Sequence, residues 1–424
     1  MCDINISNLH ANGAQVAALR TKKNRGSSMP HAAFALLGNM STFGGTLVEY
    51  ERLSVDRFDG HNINSTAFLL SHCHRDHMQG LDRGAFRKRL RSRCDLKLYA
   101  SAVSCRLLLN EPKYAWLRRR LTALPLDAPT TLTVPADGAS SYTVVVTAIP
   151  ANHCAGSVMF LLEGERGTVL YTGDFRLDVG SASTLASLHC DAGRVKPIDA
   201  AYVDTTLCHP NAAYVPTRRD SERVLVDFFE PRFRAGDSLR LALPGAKLGY
   251  ETLFASLALA FGVKVHVSRG QMSRYAGVVD VAESLTLDAE TTRIHADCEC
   301  DVGPNCVTVK PSAMWFAHRV APSRLIERVA EGVHRLCYST HASLAEVRDF
   351  VRYLQPRTVR ANVRLRGVAD VAALLGVARG SRAEEPAWNF WGSDDDEPSA
   401  DAADQLSSRT TTATSVMSSI EYAR

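Results

Sequence analysis

The residues of this chain best equipped for chemistry lie in the run Ser71-His72-Cys73-His74-Arg75-Asp76-His77, where three imidazoles and a carboxylate fall within six positions. Imidazole nitrogen and carboxylate oxygen are the donors that zinc or a similar divalent ion accepts. The run directly follows the apolar stretch Ala67-Phe68-Leu69-Leu70, so a turn at the end of a buried strand can aim all four donors at one point. Two further candidates stand at later strand ends: His153 in Asn152-His153-Cys154 and Asp174 in Thr172-Gly173-Asp174. The donors His72, His74, Asp76, His77, His153 and Asp174 suit two ions. A carboxylate such as Asp174 can bridge a pair about 3.5–4 Å apart, the spacing that activates water and offsets charge developing on phosphate. A core histidine standing alone, as His153 would, is more often satisfied structure than ligand; the compact run makes a metal site the expectation.

These donors need a scaffold, and the chain between Thr66 and Val203 supplies short apolar runs separated by turn residues. Ala67–Leu70, Val144–Val146, Val158–Leu162, Val169–Tyr171 and Ala201–Val203 read as buried strands, several ending in His, Asp or Gly. From about residue 215 the pattern becomes more helical, with apolar residues at three- and four-residue spacing in Glu222–Phe229, Tyr250–Ala260 and Ala276–Leu287, which suggests a second lobe. Strand character returns at Val307–Val309 and Arg335–Tyr338, and a helix from Leu344 to Leu354 ends before Pro356.

With 424 residues, 46% of them apolar, the chain can bury one large core or two ordinary ones. It has no run of about 18 apolar residues, so no membrane span is expected. Eleven cysteines, scattered singly apart from Cys298, Cys300 and Cys306, do not make a disulfide framework and read as thiols of an intracellular protein. Residues 1–39 read as a disordered extension, or as sequence upstream of a true start at Met40. Residues 381–424 carry nine acidic and three basic side chains and are Ser/Thr-rich, the composition of a disordered tail. The net charge of +4 therefore leaves +10 on residues 1–380. Much of it is concentrated in Arg83, Arg87, Lys88, Arg89, Arg91 and Arg93, either a solvated helix face or a track for phosphates.

The run His72-x-His74-x-Asp76-His77 with His153 and Asp174 resembles the metallo-β-lactamase fold. The longer strings Leu70–Met78, Gly156–Phe160, Leu170–Arg176 and Lys310-Pro311-Ser312-Ala313-Met314-Trp315-Phe316 resemble the β-CASP nuclease branch of that family, over about residues 40–375. The resemblance implies an α+β architecture, an αββα sandwich from 40–207 and 335–380 with a β-CASP domain, 208–334, inserted between. It implies a catalytic role for Asp76 and two further site residues, Asp204 in Tyr202–Thr206 and His341 in Ser339–Ser343. Val363 falls where the DNA-cutting members have valine. Ala155 departs from the usual proline. Asp76 would orient or deprotonate water; Arg75, Ser339, Thr340, Ser343 and Lys247, with Arg87, Lys88 and Arg89, would contact phosphate, although Ser339, Thr340, Ser343 and Lys247 have equally ordinary cap or surface readings.

The resemblance also implies one or two divalent ions (Zn²⁺ or Mg²⁺) at the main site and a structural Zn²⁺ in the inserted lobe. For the latter the ligands are His266, His295, Cys298 and Cys306; Asp297 stands where a cysteine is expected, leaving Cys298, or Cys300, to serve. The implied function is a metal-dependent DNA nuclease that opens hairpins and trims overhangs and 5′ ends in double-strand-break joining in the nucleus, with a DNA-dependent protein kinase and a DNA ligase complex as partners. The alternatives are a sister 5′ exonuclease of crosslink or telomere repair, an RNA-processing endonuclease, a small-molecule metallo-hydrolase and a catalytically dead scaffold.

Overall fold

Ala67–Leu70 is buried along its whole length, and its alternate side chains serve two different cores: Ala67 and Leu69 face one, Phe68 and Leu70 the other. A strand sheltered on both faces shows no polar alternation, which is why this segment reads as a plain apolar run. The computed structural model in which it lies describes residues 41–376 apart from 136–139, 192, 244–246, 299, 301, 304, 318–323 and 365–370. The expected N-terminal extension and acidic tail lie outside the described residues.

The first sheet is parallel, in the order β1 (Leu53–Val55), β2 (Ala67–Leu70), β3 (Leu98–Ser101), β4 (Leu121–Leu124). The second runs through β5 (Pro129–Val134), β6 (Tyr142–Pro150), β7 (Val158–Gly164), β8 (Gly167–Tyr171) and β9 (Ala200–Val203). Leu53, Val55 and Leu69 from the first sheet pack against Val144, Val146, Phe160, Leu162 and Tyr171 from the second. On the outer face of the first sheet, Phe86 and Leu90 of the helix Gly84–Ser92 and Leu108 of the helix Ala102–Asn110 cover Phe68, Leu70 and Leu98. On the outer face of the second, Leu344, Val347, Phe350 and Val351 of the helix Leu344–Leu354 cover Leu161, Leu170 and Ala201. The layers are therefore helix, sheet, sheet, helix: the αββα sandwich that the family resemblance implies.

A third sheet draws only on residues 238–336. Its strands are β10 (Ser238–Leu241), β11 (Val265–Val267), β12 (Leu285–Thr286), β13 (Ile294–Ala296), β14 (Cys306–Pro311), β15 (Ile326–Ala330) and β16 (Val333–Leu336), in the spatial order β12-β11-β13-β10-β14-β16-β15. All neighbours are parallel except β15 and β16. The helices Arg218–Arg234 and Glu251–Phe261 pack on it through Leu225, Phe229, Leu253, Phe254 and Leu257. The chain then returns to the second sheet, whose edge strand beside β9 is β17 (Thr358–Ala361).

Two expectations need correction here. The lobe is not chiefly helical; its sheet is the largest among the described residues, but most of its strands are two to four residues long, too short to leave a period in the sequence. The helix expected over Ala276–Leu287 is only one turn, Val279–Ala282, after which Leu285 pairs with Val265 as β12. The β-branched Val278, Val279 and Val281 lose rotamer freedom in a helix, and the open edge of β11 offers a better use of the backbone that follows.

Candidate metal centre

The site collects at the ends of β1, β2, β8 and β9 and in two loops. Strand β2 delivers Ser71–His77, the last three residues forming a 3-10 turn. Parallel pairing of β8 with β9 places Thr172–Asp174 beside Asp204, whose N–H donates to Thr172 Oγ1 at 2.9 Å. Gly173 is required: its φ is +53°, and a Cβ there would lie 2.8 Å from Ser71 Oγ. His153 comes from the loop between β6 and β7, and His341 from the loop after β16.

Donor atoms of His72, His74, His153 and Asp174 lie within 4.8 Å of one another, as do those of Asp76, His77 and Asp174, and of Asp174, Asp204 and His341. Asp174 is common to all three groups. Its Oδ2 stands 3.6 Å from His72 Nε2, 3.3 Å from His77 Nε2, 3.6 Å from His153 Nε2 and 3.9 Å from His341 Nδ1.

The outer nitrogen of each imidazole is held, so the inner one is aimed. His72 Nδ1 bonds Ser71 Oγ at 2.9 Å, His77 Nδ1 bonds Asp56 Oδ2 at 2.9 Å, His153 Nδ1 donates to Thr340 O at 2.8 Å and His74 Nε2 to Leu248 O at 3.3 Å. Such outer partners fix the tautomer of a metal-ligating histidine. The inward atoms His72 Nε2 and His77 Nε2 are buried and make no hydrogen bond. A buried, unsatisfied imidazole nitrogen is costly, and a cation would satisfy both. His74 Nδ1 and His153 Nε2 stand 2.9 Å apart; two nitrogens on one tetrahedral zinc ion are about 3.3 Å apart. The residues present therefore fit divalent ions.

At three of the four imidazoles charge agrees with geometry; at His77 burial opposes protonation, but Asp174 and Asp56 outweigh it and raise the group well above the usual histidine range. Burial, reinforced by neighbouring imidazoles, holds His72 and His153 well below the usual histidine range, and burial brings His74 down to about 4. All three are neutral at neutral pH, the form that coordinates metal. Burial opposes protonation of His341 as well, but Asp204 at 2.9 Å and Asp174 outweigh it and raise this group to about 9. Burial opposes ionisation of Asp204, and His341 more than reverses that.

Above the donors opens a cavity of about 1310 Å³ lined by Arg75, Asp76, Arg83, Lys113, Lys247, Arg274, Ser339, Thr340 and His341, among others. Arg75, Lys247, Ser339 and Thr340, four of the residues expected to contact phosphate, thus line this cavity, although Ser339 Oγ already bonds the His341 backbone. Ser343 does not: it is buried and caps the helix Leu344–Leu354, its Oγ accepting from Glu346 N and its N–H donating to the Glu346 carboxylate. Arg87, Lys88 and Arg89 do not line the cavity. Arg87 lies over the Trp116 ring and Arg89 donates to the carbonyls of Asn64 and Ser65; of the basic run, Arg83 alone reaches the cavity wall.

In the third sheet, the second donor group is His266, His295, Cys298 and Cys300. Cys306 is not part of it. His266, His295, Arg240 and Thr308 share one level of the parallel register, and Cys306 lies two residues below that level on β14, two strands from β13.

Three site features escaped the sequence reading. Asp56, buried and directly after β1, accepts from Ser71 N at 2.7 Å, Ser71 Oγ at 2.6 Å, His77 Nδ1 at 2.9 Å and Tyr171 OH at 2.8 Å. It carries the same signal as Asp174 and Asp204, an acid at a strand end. Arg176, buried, pairs with Glu346 at 3.0 Å and donates to His341 O at 2.8 Å, holding the His341 loop. The third is the Leu248 carbonyl, for which no side-chain signal exists.

Residues 278–367 match the family model described as DNA repair metallo-beta-lactamase. The chain is 38% identical over 345 residues to Protein artemis of Gallus gallus, covering 76% of this chain and 48% of that protein. Against Protein artemis of Homo sapiens the identity is 36% over 371 residues, covering 82% and 53%. Against 5' exonuclease Apollo of Gallus gallus it is 31% over 324 residues, covering 76% and 63%. Layered sheets and donor constellation agree with these matches, which make the chain similar to the metallo-β-lactamase/β-CASP nucleases. The similarity to the artemis proteins covers most of this chain, which spans about half of their length.

Proposed function

We propose that this protein is a metal-dependent DNA nuclease of DNA repair. On this reading it opens hairpins and trims overhangs and 5′ ends in non-homologous end joining. The observation that carries the reading is the set of three donor groups sharing Asp174 at the floor of a cation-lined cavity. Divalent ions held there supply Lewis acidity, making water acidic and offsetting charge on phosphate. The chain's own residues do the rest. Asp76, held by the Ser41 N–H at 3.1 Å and facing the cavity, orients the attacking water and takes its proton. His341, positively charged through Asp204 and lining the cavity, returns a proton to the leaving oxygen. Arg75, Arg83 and Lys247 attract the phosphate backbone without reading sequence. Val363, where the DNA-cutting members have valine, favours DNA over RNA. The kinase and ligase partners and a nuclear location belong to the same proposal.

The test is cleavage of an end-labelled DNA hairpin with a single-stranded overhang by the full chain in Mg²⁺ or Zn²⁺, beside Asp76→Ala. Nicking near the hairpin tip that vanishes in Asp76→Ala is expected. Trimming of 5′ ends alone points instead to the activity named for Apollo. Inertness to DNA together with hydrolysis of a lactam or thioester overturns the proposal.

A further inference from the structure

Three of the four inward-aimed ligand histidines are held by neighbours from the sandwich or the chain returning to it. His74 is the exception, because its Nε2–H donates to Leu248 O, which belongs to the loop following β10 of the third sheet. That loop is pinned at every residue from Lys247 to Gly249. Lys247 O accepts from Gln271 Nε2 at 2.7 Å and from Tyr275 OH at 3.4 Å. The Gly249 N–H is shared by both Glu251 oxygens, at 3.0 and 2.9 Å, and Gly249 O accepts from Tyr338 OH at 3.3 Å. Glu251 is held in turn by Tyr275 OH at 2.7 Å. Lys247 also pairs with Asp297, beside the second donor group. Gly249 has φ +102°, and a Cβ there would lie 2.8 Å from Thr340 Cγ2 and 3.3 Å from His153 O, so the loop is seated directly against the backbone that orients His153.

We propose that the loop Lys247–Tyr250 is a clamp that fixes the tautomer of His74 from outside the sandwich, and that Glu251 is its positioning residue. With Leu248 O in place, His74 carries its proton on Nε2 and offers Nδ1 inward, the reverse of His72 and His153. With the loop released, nothing else among the described contacts selects that tautomer. The inserted lobe then does more than form one wall of the cavity: it completes the outer support of the donor group His72, His74, His153 and Asp174. This inference rests on the metal centre of the proposed nuclease but not on its substrate.

The experiment measures metal affinity by competition with a chromophoric chelator, and the visible spectrum of the cobalt(II)-loaded protein, for the wild type, Glu251→Ala, Glu251→Gln, Tyr275→Phe and Ser256→Ala. Loss of an outer partner of a metal-bound histidine weakens binding about 10–100-fold, and Glu251→Ala is expected to fall in that range with an altered cobalt spectrum. Tyr275→Phe, which removes only a hydroxyl, is expected to shift both measurements in the same direction by less, and Glu251→Gln to restore part of the loss through its remaining oxygen. Ser256→Ala, on the same helix as Glu251, breaks a bond to Glu222 of the helix Arg218–Arg234, at 2.8 Å, and should bind metal as the wild type does. On hairpin DNA, kcat should fall more than KM rises. Wild-type affinity and spectrum in both Glu251→Ala and Tyr275→Phe overturn the clamp even if DNA is cleaved. A wild type that binds cobalt but cuts no DNA, with Glu251→Ala still weakening that binding, overturns the nuclease reading and leaves the clamp standing.

Discussion

Replacing Asp56 with asparagine should damage stability and metal binding together, and the size of each effect follows from its four hydrogen bonds. Asp56 Oδ1 accepts from Ser71 N, while Oδ2 accepts from Ser71 Oγ, His77 Nδ1 and Tyr171 OH. An amide keeps one oxygen. Placed at Oδ2, it retains three bonds in neutral form and turns its NH₂ toward the buried Ser71 N–H. The orphaned donor costs about 1–3 kcal/mol, and each remaining bond drops from the charge-assisted to the neutral range, about 1 kcal/mol apiece. A total of about 4 kcal/mol, allowing for non-additivity, is a large part of a typical domain's stability. His77 also loses the carboxylate that holds its outer nitrogen, which should weaken metal binding about 10–100-fold. Urea unfolding monitored by circular dichroism reads the first effect and chelator competition the second. Tyr171→Phe is the control, since it removes one donor and leaves the Asp56–His77 bond intact: it should cost about 1.5–3 kcal/mol with no change in metal affinity. Wild-type affinity in Asp56→Asn, or equal weakening in Tyr171→Phe, would refute the argument.

Breaking the buried Arg176–Glu346 pair by Arg176→Ala should cost about 3–5 kcal/mol in urea unfolding, because Glu346 is left charged and buried; its effect on kcat should exceed that of a core truncation of equal cost, since His341 O loses its donor. In metal-free protein the Asp204–His341 pair should give an alkaline limb. His341 is raised above its ordinary 6.5 to about 9, so its contribution is full below 6.5 and is lost as pH rises through 9; thermal unfolding from pH 7 to 10 should fall less steeply in His341→Ala. If the second donor group holds structural zinc, Cys300→Ala should abolish one bound zinc per chain and lower the unfolding temperature, whereas Cys306→Ala should do neither; the reverse result restores Cys306 as a ligand.

The main centre was readable in the sequence because one strand end delivers most of its donors. His72, His74, Asp76 and His77 are contiguous, and contiguity survives in one dimension. Asp56 came from another strand end but stood alone, so nothing in the sequence tied it to His77. Arg176 lay inside a string already noted, yet its partner Glu346 is 170 positions away in the numbering, and only folding shows that the two neutralise each other. The sequence offered Cys298, or Cys300, beside Cys306; that Cys298 and Cys300 join the histidines while Cys306 does not follows from the register of β10 with β13 and β14, which no spacing rule encodes. For Ser343 the sequence left a helix cap and a phosphate contact equally open, because both call for the same residue type, and the fold makes it the cap. The Leu248 carbonyl had no side-chain identity to read at all.

Strand β2 couples matters that are usually separate. Because Ala67 and Leu69 are locked into the inter-sheet core while Phe68 and Leu70 are locked beneath the helices, the strand can neither slide nor roll without disrupting packing on both sides. A one-residue slip would exchange its two sets of side chains between environments of different shape. The seven residues that follow Leu70 are thus mounted on a rail packed on both faces. Truncations such as Leu69→Ala and Phe86→Ala, on opposite sides of that rail and touching no donor, should both register as a blunted metal affinity as well as a lower melting point. In this protein a drift in core volume becomes a change in ligand geometry.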